Sequence, residues 1–175
     1  GSHDQPSFGT ATLVIPATQW QGQGNRSVVV NNLPIDALGT RCTPGFTLAN
    51  GLSFQTNLTD FVPPTNQLAM LRGYAVLIPD HQGPRMSYAE PYVAGHIVLD
   101  SIKAMRNWQP DQFRESKFGL TGYSGGAIAT NGAVRLINSY APELSGYIVG
   151  AALGGVPADF EILASSMNGN LASGV

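Results

Sequence analysis

Four short apolar runs of strand character recur along this chain, with helical patterns between them. They are residues 27–32 (SVVVNN), 74–80 (YAVLIPD), 117–122 (KFGLTG) and 146–155 (GYIVGAALGG). Continuous apolar runs of that length fit strands buried on both faces. A further strand is expected at residues 10–16 (TATLVIP), which alternates, turns apolar and stops at a proline. Residues 65–73 (TNQLAMLRG) offer a Thr cap, an apolar face and a terminating Gly73. Residues 90–107 carry Tyr92, Val93, His96, Ile97, Leu99, Ile102 and Met105 at helical spacing, and a third helix is expected from Gly125 onward. Strands alternating with helices fold as a mostly parallel sheet with helices on both faces and right-handed crossovers. The predicted class is α/β.

No repeat, charge block or low-complexity linker divides the sequence. Residues 1–3 read as a remnant of tag removal and residues 4–175 as part of one domain. The long irregular stretch from about residue 33 to 64 is of the kind that lines or covers a site. Charge is sparse, with a formal net of −2, which leaves no footprint for nucleic acid or an anionic membrane surface. No apolar run reaches the roughly 18 residues of a transmembrane segment. No paired His or Cys stands at ligand spacing, so neither a metal nor an organic cofactor is expected.

The chemistry concentrates where the third buried run meets its helix, in Gly122-Tyr123-Ser124-Gly125-Gly126. A serine between a buried strand and a helix must adopt strained backbone angles to expose its hydroxyl. Its neighbours two before and two after must be tiny, because strand and helix backbones pass close there. Gly122 and Gly126 meet that demand. The helix start aims free amides and the positive dipole end at the site, which makes the Gly125 amide a natural half of an oxyanion hole. A phosphate-binding reading fits less well. The glycine spacing matches neither a dinucleotide fingerprint nor a P-loop, and the P-loop lysine is absent.

Residues 122–130 (GYSGGAIAT), 139–144 (SYAPEL) and 148–157 (IVGAALGGVP) resemble the secretory lipases, the fungal lipase A group and its actinobacterial relatives. Residues 36–46 (DALGTRCTPGF), 73–84 (GYAVLIPDHQGP) and 94–107 (AGHIVLDSIKAMRN) are similar to the same family in order and spacing. The resemblance implies an α/β-hydrolase with Ser124 as nucleophile, Gly125 as the backbone donor after it and Asp36 as the second oxyanion donor. It implies a secreted carboxylic-ester hydrolase acting on an ester or lipid substrate. It also matches Cys42, the single cysteine, to one that bridges a partner cysteine far downstream.

In α/β-hydrolases the chain order is Ser, then Asp or Glu, then His. After Ser124 only Glu143, Asp159 and Glu161 are acidic, each with a structural explanation, and no histidine follows. Upstream, His81 is expected to order its loop with Asp80, and His96 to pack in the core. The expectation is an incomplete hydrolase sheet. The later strands, the catalytic acid and the base would lie on a segment outside this chain, a second polypeptide tied to it through Cys42. The stretch after Pro157, like the 33–64 loop, would approach a lid region. The alternatives are a non-catalytic hydrolase-like fragment that binds ligands or partners, and an acyltransferase of the same fold.

Overall fold

The computed structural model describes residues 5–35, 38–51 and 64–169. Its frame is a five-stranded sheet of β1 Ala11–Val14, β2 Val28–Asn32, β3 Ala75–Pro79, β4 Phe118–Tyr123 and β5 Ile148–Gly154, in the order β1-β3-β2-β4-β5. Strands β2 to β5 are parallel, and β1 runs antiparallel to β3 with Ala11 opposite Pro79 and Val14 opposite Val76. The helices are α1 Pro44–Asn50, α2 Pro64–Leu71, α3 Pro91–Trp108, α4 Pro110–Phe113, α5 Gly125–Tyr140 and α6 Phe160–Met167.

Strand alternation sends successive side chains to opposite faces, and both central faces are covered. Val28, Val30, Ala75, Leu77, Phe118 and Leu120 pack beneath α3 and α5 against Val98, Leu99, Ile102 and Ala133. On the other face Val29, Val76 and Ile78 meet Ala69 and Met70 of α2 and Leu48 of α1. This two-sided burial is why the central strands read as unbroken apolar runs.

Helices α3 and α5 touch backbone to backbone. A Cβ on Gly95 would lie 2.5 Å from the Gly132 carbonyl carbon, and one on Gly132 would overlap the Pro91 carbonyl. Helix α3 starts sharply because Glu90 caps it, its carboxylate accepting from the amides of Tyr92 and Val93, with Pro91 at the first helical position.

Two expectations need correction. The 33–64 stretch is not irregular throughout. Thr43 caps α1, accepting from the Phe46 amide at 3.3 Å, and Pro44 occupies its first position; there the prolines begin a helix instead of breaking one. The run at 146–155 does form β5, but its strand is not buried here. Ala151, Ala152 and Leu153 are exposed, because β5 is the edge of the sheet and α5, which lies against this strand, leaves these residues uncovered.

Candidate active site

Strand β4 delivers the chain to Ser124, which turns at φ 53° and ψ −120° before α5 begins at Gly125. A non-glycine residue in that region carries strain of order 1–3 kcal/mol. Backbone ties on both sides hold it: the Ser124 amide donates to the Gly154 carbonyl at 3.0 Å, and its carbonyl accepts from Ala127 at 2.9 Å and Ile128 at 3.2 Å. A Cβ on Gly122 would overlap the Gly126 carbonyl, and one on Gly126 would overlap the carbonyl of Asn32 at the end of β2. The two glycines therefore let β2, β4 and α5 converge on the serine.

A buried polar chain locks the convergence. Asn32 Nδ2 donates to Thr130 Oγ1 at 2.8 Å, and Thr130 Oγ1 donates to the Gly126 carbonyl at 2.9 Å. This joins the carboxyl end of β2 to the first turn of α5, so the positions of the elbow and of the loop after β2 are not independent. Tyr123 stands exposed beside the serine, its ring over Gly154 and Gly155, where a Cβ on Gly155 would meet it at 2.8 Å.

Gly125 is the first residue of α5, so its amide has no intrahelical acceptor and lies at the positive end of the helix. Above it runs the loop after β2: a Cβ on Gly125 would lie 3.5 Å from the Ile35 carbonyl oxygen and 3.6 Å from the Ile35 nitrogen. The structure thus brings Ser124, Gly125 and residues 33–35 together. Asp36, next along that loop, lies outside the described residues.

The loop is held from β3. His81 Nε2 lies 2.8 Å from the Leu33 carbonyl, which can only accept, so the proton is on Nε2. Burial lowers the His81 pKa, while the Leu33 hydrogen bond and the Asp80 charge pull the other way without reversing it. Gln82 Nε2 donates to the Ile35 carbonyl at 2.7 Å. Asp80 faces elsewhere, accepting from the Thr10 hydroxyl at 2.6 Å and the Gly45 amide at 2.8 Å. His81 does order a loop, but through Leu33, with Asp80 anchoring a different one.

The remaining candidates lie in structural roles. His96 is not a core residue. It is half-buried on the outer side of α3, with Nδ1 2.6 Å from the Tyr92 carbonyl and its ring edge-on to Tyr140. The helical spacing was right, but His96 stands one position off the buried stripe of Ala94, Ile97 and Val98. Glu143 pairs with Lys103 at 3.6 Å, Asp159 caps α6 through the Ile162 amide at 2.9 Å, and Glu161 lies in the first turn of α6. Cys42 is a free thiol. Among the described residues, no group of three or more His, Cys, Asp or Glu could hold a metal, and no helix is long and apolar enough to cross a membrane. Sequence reasoning missed Gln82, Asn32 and Thr130 as parts of the site. Their polar character inside or beside apolar runs was the available signal.

Comparison with known proteins agrees with this geometry. The secretory lipase family matches residues 48–175. A secreted triacylglycerol lipase of Malassezia furfur is 32% identical over 178 residues, covering 100% of this chain and 45% of the relative. A protein of Mycobacterium tuberculosis named a probable inactive lipase is 33% identical over 99% of this chain and 38% of its own length. The crystal structure of Candida antarctica lipase A in its closed state superposes with a TM-score of 0.78 at 33% identity, over 95% of this chain and 39% of that one. The chain thus spans less than half the length of these relatives. With its mostly parallel sheet, its strained serine turn and its family match over most of its length, the chain belongs to the secretory lipase family and has the α/β-hydrolase fold.

Proposed function

We propose that this chain is the nucleophile-bearing portion of a secreted serine ester hydrolase that acts on triacylglycerols or related esters. The observation that carries the reading is the Ser124 turn. Its left-handed backbone is held by three hydrogen bonds between β5 and α5, over glycines that no larger residue could replace. The secreted lipase relatives support this substrate class and compartment.

Ser124 Oγ attacks the ester carbonyl while a histidine takes its proton. The tetrahedral oxyanion is met by the Gly125 N–H and by the N–H of Asp36. Collapse expels the alcohol, which leaves with that proton, and forms the acyl-enzyme. Water, deprotonated by the same histidine, then releases the acid and restores Ser124. His81 is committed to Leu33 and His96 to Tyr92, so the base is assigned to a segment outside this chain, together with the carboxylate that orients it. The exposed edge of β5 supports a further segment there, and Cys42 offers a thiol through which a separate polypeptide could be tied.

The second reading, a hydrolase-like protein without turnover, is favoured by the relative named a probable inactive lipase. Hydrolysis of p-nitrophenyl esters and triacylglycerol emulsions by the complete protein separates the two. The hydrolase reading predicts turnover that Ser124→Ala lowers by at least about 10³-fold. Absence of turnover, or turnover that Ser124→Ala leaves intact, supports the second.

A further inference from the structure

Helix α5 begins on a pair of glycines, Gly125 and Gly126, and glycine leaves the backbone freer than any other residue. Close packing requires the second of them, since a Cβ on Gly126 would overlap the Asn32 carbonyl. The first carries the N–H assigned to the oxyanion. Such a donor is effective only when its direction is set before charge develops. A turn this permissive therefore needs a restraint from outside its own helix.

Asn32 and Thr130, both buried, supply one. The Thr130 hydroxyl has a single proton. Because Asn32 Nδ2 donates to that oxygen at 2.8 Å, the proton is directed to the Gly126 carbonyl at 2.9 Å. Both acceptor and hydroxyl lie against Gly122: a Cβ there would overlap the Gly126 carbonyl and come within 2.6 Å of Thr130 Oγ1. Asn32 is the register partner of Gly122 on β2 and β4, so the clamp ties two strands to the first turn of α5 directly beside Ser124. Stability alone does not explain an asparagine here. Its Oδ1 is buried with no hydrogen-bond partner among the described residues, which weakens a fold.

We propose that Asn32 is a positioning residue for ester hydrolysis: acting through Thr130, it freezes the Gly125–Gly126 turn and so fixes the aim of the Gly125 N–H. The proposal rests on the reading of Ser124 as nucleophile. Losing a single oxyanion donor typically costs about 10²–10³-fold in kcat, and loosening its aim should cost part of that.

The test uses the complete enzyme with Asn32→Leu, which removes the donor, Thr130→Val, which keeps the volume and removes the hydroxyl, the two combined, and Thr130→Ser, which keeps the hydroxyl and removes a methyl group. The readouts are kcat and KM on a p-nitrophenyl ester, Tm, and the inhibition constant of an alkyl boronic acid, whose serine adduct is a tetrahedral anion. Asn32→Leu and Thr130→Val should each lower kcat about 10- to 100-fold with KM within about twofold, and weaken boronate binding by a similar factor. The combined variant should lose no more than the larger single loss, because both residues act through one chain of bonds. Thr130→Ser should recover most of the kcat lost in Thr130→Val, although it gives up buried packing. A packing role predicts the reverse, with serine the more damaging, and that order overturns the proposal. Ser124→Ala is measured alongside. If it remains active, the nucleophile reading fails and the proposal with it. If it is inactive while folded Asn32→Leu and Thr130→Val keep wild-type kcat and boronate affinity, the positioning role is overturned and the hydrolase reading stands. A loss confined to KM or to Tm overturns it too. If Asn32→Leu does not fold, Thr130→Val decides; if neither folds, the pair serves folding and the proposal is overturned.

Discussion

At Ser124 the backbone is held at φ 53° and ψ −120° because Gly122 and Gly126 on either side let three backbones converge. That much was legible in the sequence, since a need for absent side chains leaves glycines at fixed spacing. The polar ties around the elbow were not legible. Gln82 reaches Ile35 across 47 residues and Asn32 reaches Thr130 across 98, and contacts so remote leave no local pattern. His81 belongs at this scale too. Its imidazole is buried and its pKa lies below the ordinary value of 6.5, chiefly from desolvation, so the folded state binds it neutral. The unfolded chain takes up that proton first as pH falls, so the His81 contribution to stability is present above about 6.5 and is lost as pH falls toward the folded pKa. His81→Gln keeps a donor for Leu33 and removes the titration. Thermal melts of the complete protein between pH 7.5 and 5 should fall less steeply in the variant than in the wild type. Equal slopes would contradict this account of His81.

Among the elements, the contact between α3 and α5 decides how the helix after Ser124 sits on the sheet. Gly95 and Gly132 let those helices meet without side chains between them. Gly132→Ala would drive a methyl group into the Pro91 carbonyl, and backbone cannot yield as a flexible side chain can. A destabilisation of about 1–3 kcal/mol or more is expected, read from urea denaturation, although alanine is the better helix former. A change within about 0.5 kcal/mol would mean that the helices separate freely. The sequence showed both helices through their apolar spacing, but not that they touch at glycines. Helix α1 escaped notice for a different reason. Its start, Thr43-Pro44-Gly45, has the composition of a loop, and only the cap from Thr43 to Phe46 identifies it as a helix.

For the whole molecule, the informative surface is the open side of the sheet. Strand β5 contains no charged residue or proline to guard its edge, and Val149 is 66% exposed. Phe160, Ile162, Leu163 and Met167 of α6 add exposed apolar surface after it. A surface of this kind is normally covered, which fits the proposal that a further segment completes the sheet. The run IVGAALG showed the strand but not its exposure, because its composition is that of an interior strand. The most direct test of the central claim is the intact mass of the complete, non-reduced protein before and after reaction with a fluorophosphonate, followed by peptide mapping. The account predicts one added phosphonyl group, located on Ser124 and absent from Ser124→Ala. Reaction at another serine, or none in a folded protein, would contradict it.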